Sequence, residues 1–293
     1  MTKSTKKSQK NNFDVSVVVV SYNTKDILKN CLDSLKNENL KMQIIVSDNG
    51  STDGSAEMIK KQKTHTWCAF ELLENNENLG FAAGNNRAKK HVKSDYVLFL
   101  NSDTIVEKNS IKTPLHYIKA HDDVGAITCK VVLPNGKLDP DTRRAFPTPL
   151  TALKHFTGFS KTYRYLHIHE DEVHDVDAIQ GAFLLTRKSI LDKVGWFDED
   201  YFLDGEDIDL CWRIKQVGYR LIYYPLSKIT HIKKASKKTD RKKSLKSVLR
   251  GVEAMEIFYK KHLKQTYPFF VNWMVSIGIS TLKLARIIKY ELT

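Results

Sequence analysis

The sequence predicts an α/β fold built on a mostly parallel, doubly wound sheet with a C-terminal helical appendage. Apolar runs of strand length alternate with helical segments four times before residue 104. The runs end in polar residues, and the segment 244–293 has a helical pattern. Alternation of strands and helices is typical of a parallel sheet covered by helices on both faces.

Each of the first apolar runs is continuous rather than alternating, which is typical of strands that are buried on both faces. The predicted strands cover 14–21, 43–48, 67–74 and 95–103. Helical spacing of apolar residues, or cap-forming residues at the start, marks the segments between them. These helical segments cover 27–35, 51–61 and 81–91.

Polar residues stand where these strands end. Right-handed crossovers place the carboxyl ends of parallel strands along one edge of the sheet, and ligands bind beyond that edge. We therefore expect these side chains to converge on one crevice although they lie far apart in the sequence. They are Ser21, Tyr22, Asn23, Asp48, Asn49, Asn101 and Asp103.

Beyond residue 104 the pattern is less regular, with strands expected at 124–133 and 178–187. The loop-rich segment 138–176 contains three prolines, and we expect it to cover the crevice. The predicted organisation is a basic, disordered leader at 1–12, one large domain at 13–235 and a basic, helical tail at 236–293.

The net charge of +13 is concentrated in the leader and in the cluster at 233–246. Such clusters suit anionic lipid head groups or phosphorylated ligands, although a solvated lysine-rich surface is the alternative. Nucleic acid is not expected as a partner, because no recognition motif and no interleaved aromatic residues accompany the cluster. Irregularly spaced cysteines and a leader without an apolar core indicate a cytoplasmic chain.

The uncharged run at 265–282 is marginal for a membrane-spanning helix, which needs about 20 mostly apolar residues. Its aromatic residues and the basic residues after it favour an interfacial helix, and hence peripheral contact with the membrane. The alternative is a helix that packs on the domain.

Two motifs suit the binding of a nucleotide. Small polar residues after the first strand allow close approach of the backbone, and Asp48 can accept a hydrogen bond from the N–H of a pyrimidine base. At the start of the third helix, Gly80 and Gly84 flank Phe81 where free N–H groups hold anions, and Arg87 adds charge. The alternatives are helix caps, turns and tight helix packing.

Two further motifs carry candidate chemistry. Asn101 and Asp103 end a buried strand with oxygen ligands that suit Mg²⁺ or Mn²⁺ bridged to a diphosphate. After Gly205, the acids Glu206 and Asp207 stand at a helix start, where a carboxylate facing the crevice would act as a general base. The alternative for each motif is ordinary helix capping.

Taken together, these motifs resemble glycosyltransferase family 2, whose members have the GT-A fold and invert the anomeric centre. The similarity is greatest to rhamnosyltransferase-like bacterial members that build surface polysaccharides. It covers residues 14–235 and rests on the segments VSVVVVSYN, VSDNGSTDGS, NENLGFAAGNN, FLNSDT, RRAFPTP and GEDIDLCWR.

The resemblance implies a role for each motif. Asp207 is implied as the catalytic base, with Glu206 binding the acceptor or tuning its neighbour, and Asp103 and His231 as the groups that bind the divalent cation. The implied positions for the donor nucleotide are Ser21, Tyr22, Asn23, Asp48, Asn49, Asn78, Gly80 and Asn101.

The chain departs from the family pattern in two places. The metal element reads Asn-Ser-Asp, which leaves Asp103 as its carboxylate, and lysines replace the small loop expected after His231. Those lysines suit a diphosphate or an anionic lipid acceptor.

The resemblance thus implies transfer from a nucleoside-diphosphate sugar, with dTDP-rhamnose favoured, to a glycan or lipid-linked acceptor at the inner face of the cell membrane. A sugar nucleotidyltransferase is the first alternative, although its Gly-rich, basic signature is missing after the first strand. A non-catalytic protein that binds sugars or polyanions is the second, and the Glu206–Asp207 pair argues against it.

Overall fold

The structure is a computed structural model that describes residues 13–62, 68–156, 162–233 and 244–292. The leader at 1–12 and most of the basic cluster at 233–246 lie outside these residues, so their predicted states are not addressed by it.

One half of the central sheet consists of parallel strands in the order β3-β2-β1-β4. These strands are β1 Val15–Ser21, β2 Met42–Asp48, β3 Cys68–Glu74 and β4 Tyr96–Leu100. Alternate residues of β1 pack in two separate cores, with Val17 and Val19 on one face and Val18 on the other. A strand buried on both faces needs a continuous apolar run, so the predicted doubly wound α/β sheet is confirmed.

Helices connect these strands: α1 Lys25–Ser34, α2 Ser55–Lys60 and α3 Gly80–Asn86. The second is shorter than its predicted range of 51–61. Gly54, immediately before α2, has φ +84°, and the Asp53 carboxylate accepts from the N–H of Ser55 at 3.0 Å. Residues 51–54 therefore form a turn, and the helix begins only after it.

The other half of the sheet is mixed. β10 Phe183–Arg187 runs antiparallel between β4 and β6 Val124–Val132, and β11 Arg220–His231 lies parallel to β6. The short strands β5 Thr104–Val106 and β8 His174–Asp175 pair with β11 in antiparallel fashion. The sheet is therefore parallel from β3 to β4 and becomes mixed beyond β4.

The prediction of a single strand at 178–187 is wrong, because the structure has two separate strands there. Its first part is β9 Ala178–Ile179, which pairs with β7 Arg143–Arg144 in a separate two-stranded sheet, and its second part is β10. The break falls at Gln180 and Gly181, because the Gly181 N–H donates to the side chain of Asp207 rather than to a neighbouring strand. The remaining helices before the tail are α4 Lys112–Ala120, α5 Pro149–Phe156, α6 Lys188–Val194 and α7 Glu206–Gln216.

The C-terminal helices differ in how they pack. In α8 Leu245–Phe258 and the π-helical turn Tyr259–Leu263, Val252, Phe258 and Leu263 are buried. Phe258 stacks on Phe146 with ring centroids 6.2 Å apart, so α8 shares the core of the large domain.

By contrast, α9 Phe269–Glu291 buries none of its residues. It lies against α8 through an ion pair between Lys283 and Glu256 and a hydrogen bond from Arg286 to the Val248 carbonyl at 2.9 Å. Among the described residues, this one helix is long and apolar enough to cross a membrane by length and composition. Its exposed apolar residues include Phe269, Phe270, Trp273, Met274, Ile277, Leu284 and Ile288.

Candidate active site

The ends of β1, β2 and β4 meet at one edge of the sheet. Ser21 and Asp48 are register partners on neighbouring strands. The Thr24 hydroxyl links the two sides of this edge, since it lies 3.1 Å from that of Ser21 and 3.5 Å from that of Ser102. The fold thus brings together residues that the sequence separates by up to 78 positions.

The two carboxylate oxygens of Asp48 differ in their hydrogen bonding. Its Oδ2 accepts from the N–H of Ser51 at 2.8 Å, whereas Oδ1 is buried without a hydrogen-bond partner among the described residues. A carboxylate oxygen accepts only, so Oδ1 can take an N–H of a ligand. Tyr22, which follows Ser21 at the end of β1, is 42% exposed, and the Asn23 Oδ1 accepts from the Thr52 N–H at 2.8 Å.

Asn49, Asn78 and Gly80 bind one another. The Asn49 Nδ2 donates to the Gly80 carbonyl at 3.0 Å and to Asn78 Oδ1 at 3.3 Å, and Asn78 Oδ1 accepts from the Gly80 N–H at 3.0 Å. The next N–H, of Phe81, donates to the Phe202 carbonyl at 2.8 Å. The first two N–H groups of α3 thus have protein partners, and these contacts join α3 to the loop that precedes α7.

A second group of charged side chains surrounds His231. Strand β11 places His231 opposite Thr104, and the Asp103 carbonyl accepts from the N–H of Ile232 at 2.8 Å. The His231 Nε2 lies 3.1 Å from Asp103 Oδ1, and its Nδ1 lies 3.1 Å from Asp139 Oδ2. Burial alone would lower the pKa of His231, but hydrogen bonds to the two carboxylates outweigh it and raise the pKa to about 9.

Asp139 was missed by the sequence interpretation, although it lies in the segment expected to cover the crevice. Burial acts to raise the pKa of this fully buried carboxyl, but His231 and Lys233 lower it to about 2. Lys233 Nζ lies 2.7 Å from Asp139 and 3.0 Å from Asp141. A lysine after His231 therefore neutralises these acids.

Asp103 and His231 fit a divalent cation in their chemistry when the imidazole is neutral, because the cation would take the place of the proton between Nε2 and Asp103. A carboxylate and an imidazole lie side by side, and the carboxylate of Asp139 on the other ring nitrogen is the usual partner that orients a metal-binding histidine. No cluster of three or more metal-binding side chains occurs in the described part of the chain. Substrate phosphate oxygens would therefore have to complete the coordination, as is common for Mg²⁺.

The acid pair lies at the start of α7. Gly205, with φ +93°, ends the preceding loop, and the helix begins at Glu206. Asp207 Oδ2 accepts from Arg144 at 2.6 Å and from the Gly181 N–H at 3.1 Å. Because the Ala182 carbonyl accepts from the Asn101 N–H at 3.2 Å, Asp207 is tied through this short segment to the end of β4.

Glu206 has a different environment although it is equally buried. Its Oε2 has no hydrogen-bond partner among the described residues. Burial, followed by the charge of Asp207, raises the pKa of Glu206 well above its ordinary value. The raised pKa favours the protonated form of Glu206, which can donate a hydrogen bond.

Arg144 is a second residue of the candidate site that sequence reasoning missed. The segment RRAFPTP was noted only as part of the resemblance, and nothing in it distinguishes Arg144 from its neighbour. Arg143 instead donates to the Ile168 carbonyl at 3.0 Å and lies over the Tyr223 ring, 4.9 Å from its centroid. One arginine thus holds a loop in place, and the other holds the acid at the start of α7.

A cavity of about 470 Å³ borders none of the predicted site residues. It lies along α4, next to Tyr117 and Tyr224. This cavity therefore lies apart from the residues with candidate chemistry.

Comparison with known proteins identifies the family. The model described as Glycosyl transferase family 2 matches residues 16–195. Rhamnosyltransferase WbbL of Escherichia coli (strain K12) is 30% identical over 226 residues, which are 74% of this chain and 83% of that protein. Poly-beta-1,6-N-acetyl-D-glucosamine synthase of Staphylococcus aureus (strain MSSA476) is 28% identical over 221 residues, 73% of this chain and 48% of that protein.

Solved structures share the fold at lower identity. The mannosyltransferase PcManGT of Pyrobaculum calidifontis, in complex with GDP-Man and Mn²⁺, has a TM-score of 0.61 and 20% identity over 86% of this chain and 64% of its own. Residues 1–349 of S. aureus TarS have a TM-score of 0.56 and 16% identity over 85% of this chain and 72% of theirs. With its matched family model and its GT-A fold, this chain belongs to glycosyltransferase family 2 and is a glycosyltransferase.

Proposed function

We propose that this glycosyltransferase moves a sugar from a nucleoside diphosphate to a hydroxyl group during polysaccharide synthesis, with inversion of the anomeric centre. The observation that carries the proposal is the position of Asp207, an acid held at the start of α7 and tied to the carboxyl edge of the sheet. Relatives named as a rhamnosyltransferase and a poly-N-acetylglucosamine synthase support the class of product.

In the proposed reaction, Asp207 accepts the proton of the acceptor hydroxyl as that oxygen bonds to the anomeric carbon. The bond from this carbon to the diphosphate oxygen breaks at the same time, and the nucleoside diphosphate leaves with the electron pair. The neutral carboxyl of Glu206 donates a hydrogen bond to a sugar hydroxyl. A positioned base typically contributes about 10²–10⁴-fold in rate.

The donor is proposed to lie along the ends of β1, β2 and β4. The open Oδ1 of Asp48 accepts from the base, and the exposed Tyr22 follows the end of β1. A pyrimidine base offers the required N–H, which makes dTDP-rhamnose the first donor to test. Around these groups, Ser21, Asn23, Asn49, Asn78, Gly80 and Asn101 shape the pocket.

Asp103 and His231 are proposed to hold Mg²⁺ or Mn²⁺, which fits their paired carboxylate and imidazole. When bound, the cation stabilises the charge that develops on the leaving diphosphate. Asp139 keeps His231 in place through its other ring nitrogen. The solved mannosyltransferase with the same fold is in complex with GDP-Man and Mn²⁺, which supports this choice of ions.

The test is a panel of nucleoside-diphosphate sugars, with release of nucleoside diphosphate as the measurement. Asp207→Asn should lower kcat by at least about 10²-fold, as expected for a lost base, and leave donor binding near normal. Asp122→Asn is the matched control, because that side chain is 99% exposed. Pyrophosphate release would instead indicate a nucleotidyltransferase, and a fully active Asp207→Asn variant would refute the assigned base.

We further propose that α9 attaches the enzyme to the inner face of the cell membrane, where a lipid-linked acceptor is reached. The support is its row of exposed apolar residues, with Phe270 and Trp273 each at least 60% exposed, on a chain of net charge +13. Aromatic anchors on a helix in a basic protein favour the surface of an anionic bilayer.

Co-sedimentation with anionic liposomes tests this proposal. The double variant Phe270→Ser, Trp273→Ser should stay in the supernatant while the unmodified protein sediments at low salt. Leu226→Ser is the matched control, because Leu226 is 68% exposed but lies on β11. An unmodified protein that stays in the supernatant would contradict the membrane contact and leave the transferase proposal intact.

A further inference from the structure

We propose that Arg144 is the positioning residue that makes Asp207, rather than its neighbour Glu206, the base of this enzyme. The inference rests on the proposed function, because it concerns the same acid pair. Two adjacent carboxyl groups at a helix start are chemically similar, and their surroundings must therefore assign their roles.

The surroundings of Asp207 supply three hydrogen-bond donors. Arg144 and the Gly181 N–H reach one oxygen at 2.6 Å and 3.1 Å, and the N–H of Ile208 lies 2.7 Å from the other. Donors directed at a carboxylate favour its ionised form. The ion pair is also shielded from water, since the side chains of Arg144 and Asp207 are 14% and 9% exposed.

Backbone contacts fix the approach of the guanidinium. Arg144 is the register partner of Ala178 in the two-stranded sheet, three residues before Gly181. A Cβ at Gly181 would lie 3.1 Å from the Phe81 ring, so this segment packs closely with its N–H toward Asp207. Arg144 thus reaches Asp207 from β7, and the backbone donor reaches it from the short segment that follows β9.

Glu206 lacks such donors at its buried Oε2. When two neighbouring carboxyl groups share a buried site, one of them retains its proton. The Arg144 guanidinium pairs with Asp207, so the proton remains on Glu206, in agreement with the raised pKa of Glu206. The pair therefore consists of an anion that can accept a proton and an acid that can donate a hydrogen bond.

The other titratable groups near the pair do not reverse this assignment. Tyr163 faces Arg144, and Cys211 follows one turn along α7; burial raises the pKa of both, so they are neutral. The acids that act on the pair are Asp204, which is on the side of Glu206, and Asp141, which is itself paired with Lys233 and Arg164. The charge of Asp204 favours the protonated form of Glu206, and the charge of Asp141 favours the charged form of Arg144.

The test is the pH dependence of kcat in the full-length enzyme, which reports groups in the enzyme–substrate complex. Arg144→Gln should move the acid limb of the profile to higher pH by about one to three units, the usual effect of an opposite charge on a carboxyl group. Arg144→Lys keeps the charge and should leave the limb near its original position. Arg164→Gln is the matched control, because it removes a nearby arginine that pairs with Asp141 instead.

Glu206→Gln gives a second measurement that does not depend on the folding of the arginine variants. It mimics a neutral carboxyl, so we expect a lower kcat with the acid limb unmoved. An unmoved limb in folded Arg144→Gln, an equal shift in Arg164→Gln, or loss of the limb in Glu206→Gln would each overturn the proposal. Failure of the transferase proposal would be seen separately, as absent turnover in the unmodified enzyme with every donor.

Discussion

Gly80→Ala should destabilise the enzyme at the contact between α3 and the loop before the acid pair. Gly80 has φ +80°, and an added Cβ would lie 2.2 Å from the Phe202 carbonyl oxygen. The left-handed backbone costs alanine about 1–2 kcal/mol. Moving Phe202 away also weakens the hydrogen bond from the N–H of Phe81, which contributes about 1 kcal/mol. The free energy of unfolding should therefore fall by about 2–3 kcal/mol in total.

Gly136→Ala provides the matched control. Gly136 has φ +78°, and no atom lies within 4 Å of a Cβ built on it, so this variant carries the backbone cost alone. Urea unfolding followed by circular dichroism measures both variants. We expect Gly80→Ala to lose about 1 kcal/mol more than the control because of the broken hydrogen bond. Equal losses in the two variants would refute the steric argument.

Three further predictions concern the cation site and the tail. Asp103→Ala should weaken nucleoside diphosphate binding in Mn²⁺ but not in excess EDTA, as measured by calorimetry; equal weakening in both would contradict a role in metal binding. His262→Ala removes a 2.6 Å contact with the fully buried Asp209 and should lower the free energy of unfolding by about 1–3 kcal/mol in urea titrations. Truncation after Leu263 should preserve the thermal transition and abolish liposome binding, whereas truncation before α8 should abolish the transition as well.

The acid pair and the parallel strands β1 to β4 were predictable because their signals are local. A β-branched run such as Val15–Ser21 is stable only where both faces are buried, and the parallel topology then sends its polar end to the same edge as that of Met42–Asp48. A glycine directly before Glu206 and Asp207 likewise indicates a tight turn and a helix start from the neighbouring residues alone, and Gly205 has φ +93° in the structure.

The split of the strand predicted at 178–187 and the packing of α8 were not predictable in this way. Most residues of 178–187 suit a strand, and a single glycine within it is compatible with a bulge, so the sequence does not show that the segment is divided between two sheets. The contact of Gly181 with Asp207 marks the division. Apolar residues of α8 such as Phe258 fit a membrane surface or a protein core equally well. Phe258 packs against Phe146 and Trp212, and these contacts place α8 in the protein core.

By itself, the sequence determined the order of strands and helices, the edge at which polar residues gather and the helix that carries the acids. Only the tertiary structure decided which charges meet there. Arg144 reaches Asp207 across 63 positions, and Asp139 reaches His231 across 92. With 47 basic and 34 acidic residues in the chain, no local pattern selects these pairs. They form because the segment 139–144 runs between His231 and the start of α7, where burial makes a matched counter-charge necessary.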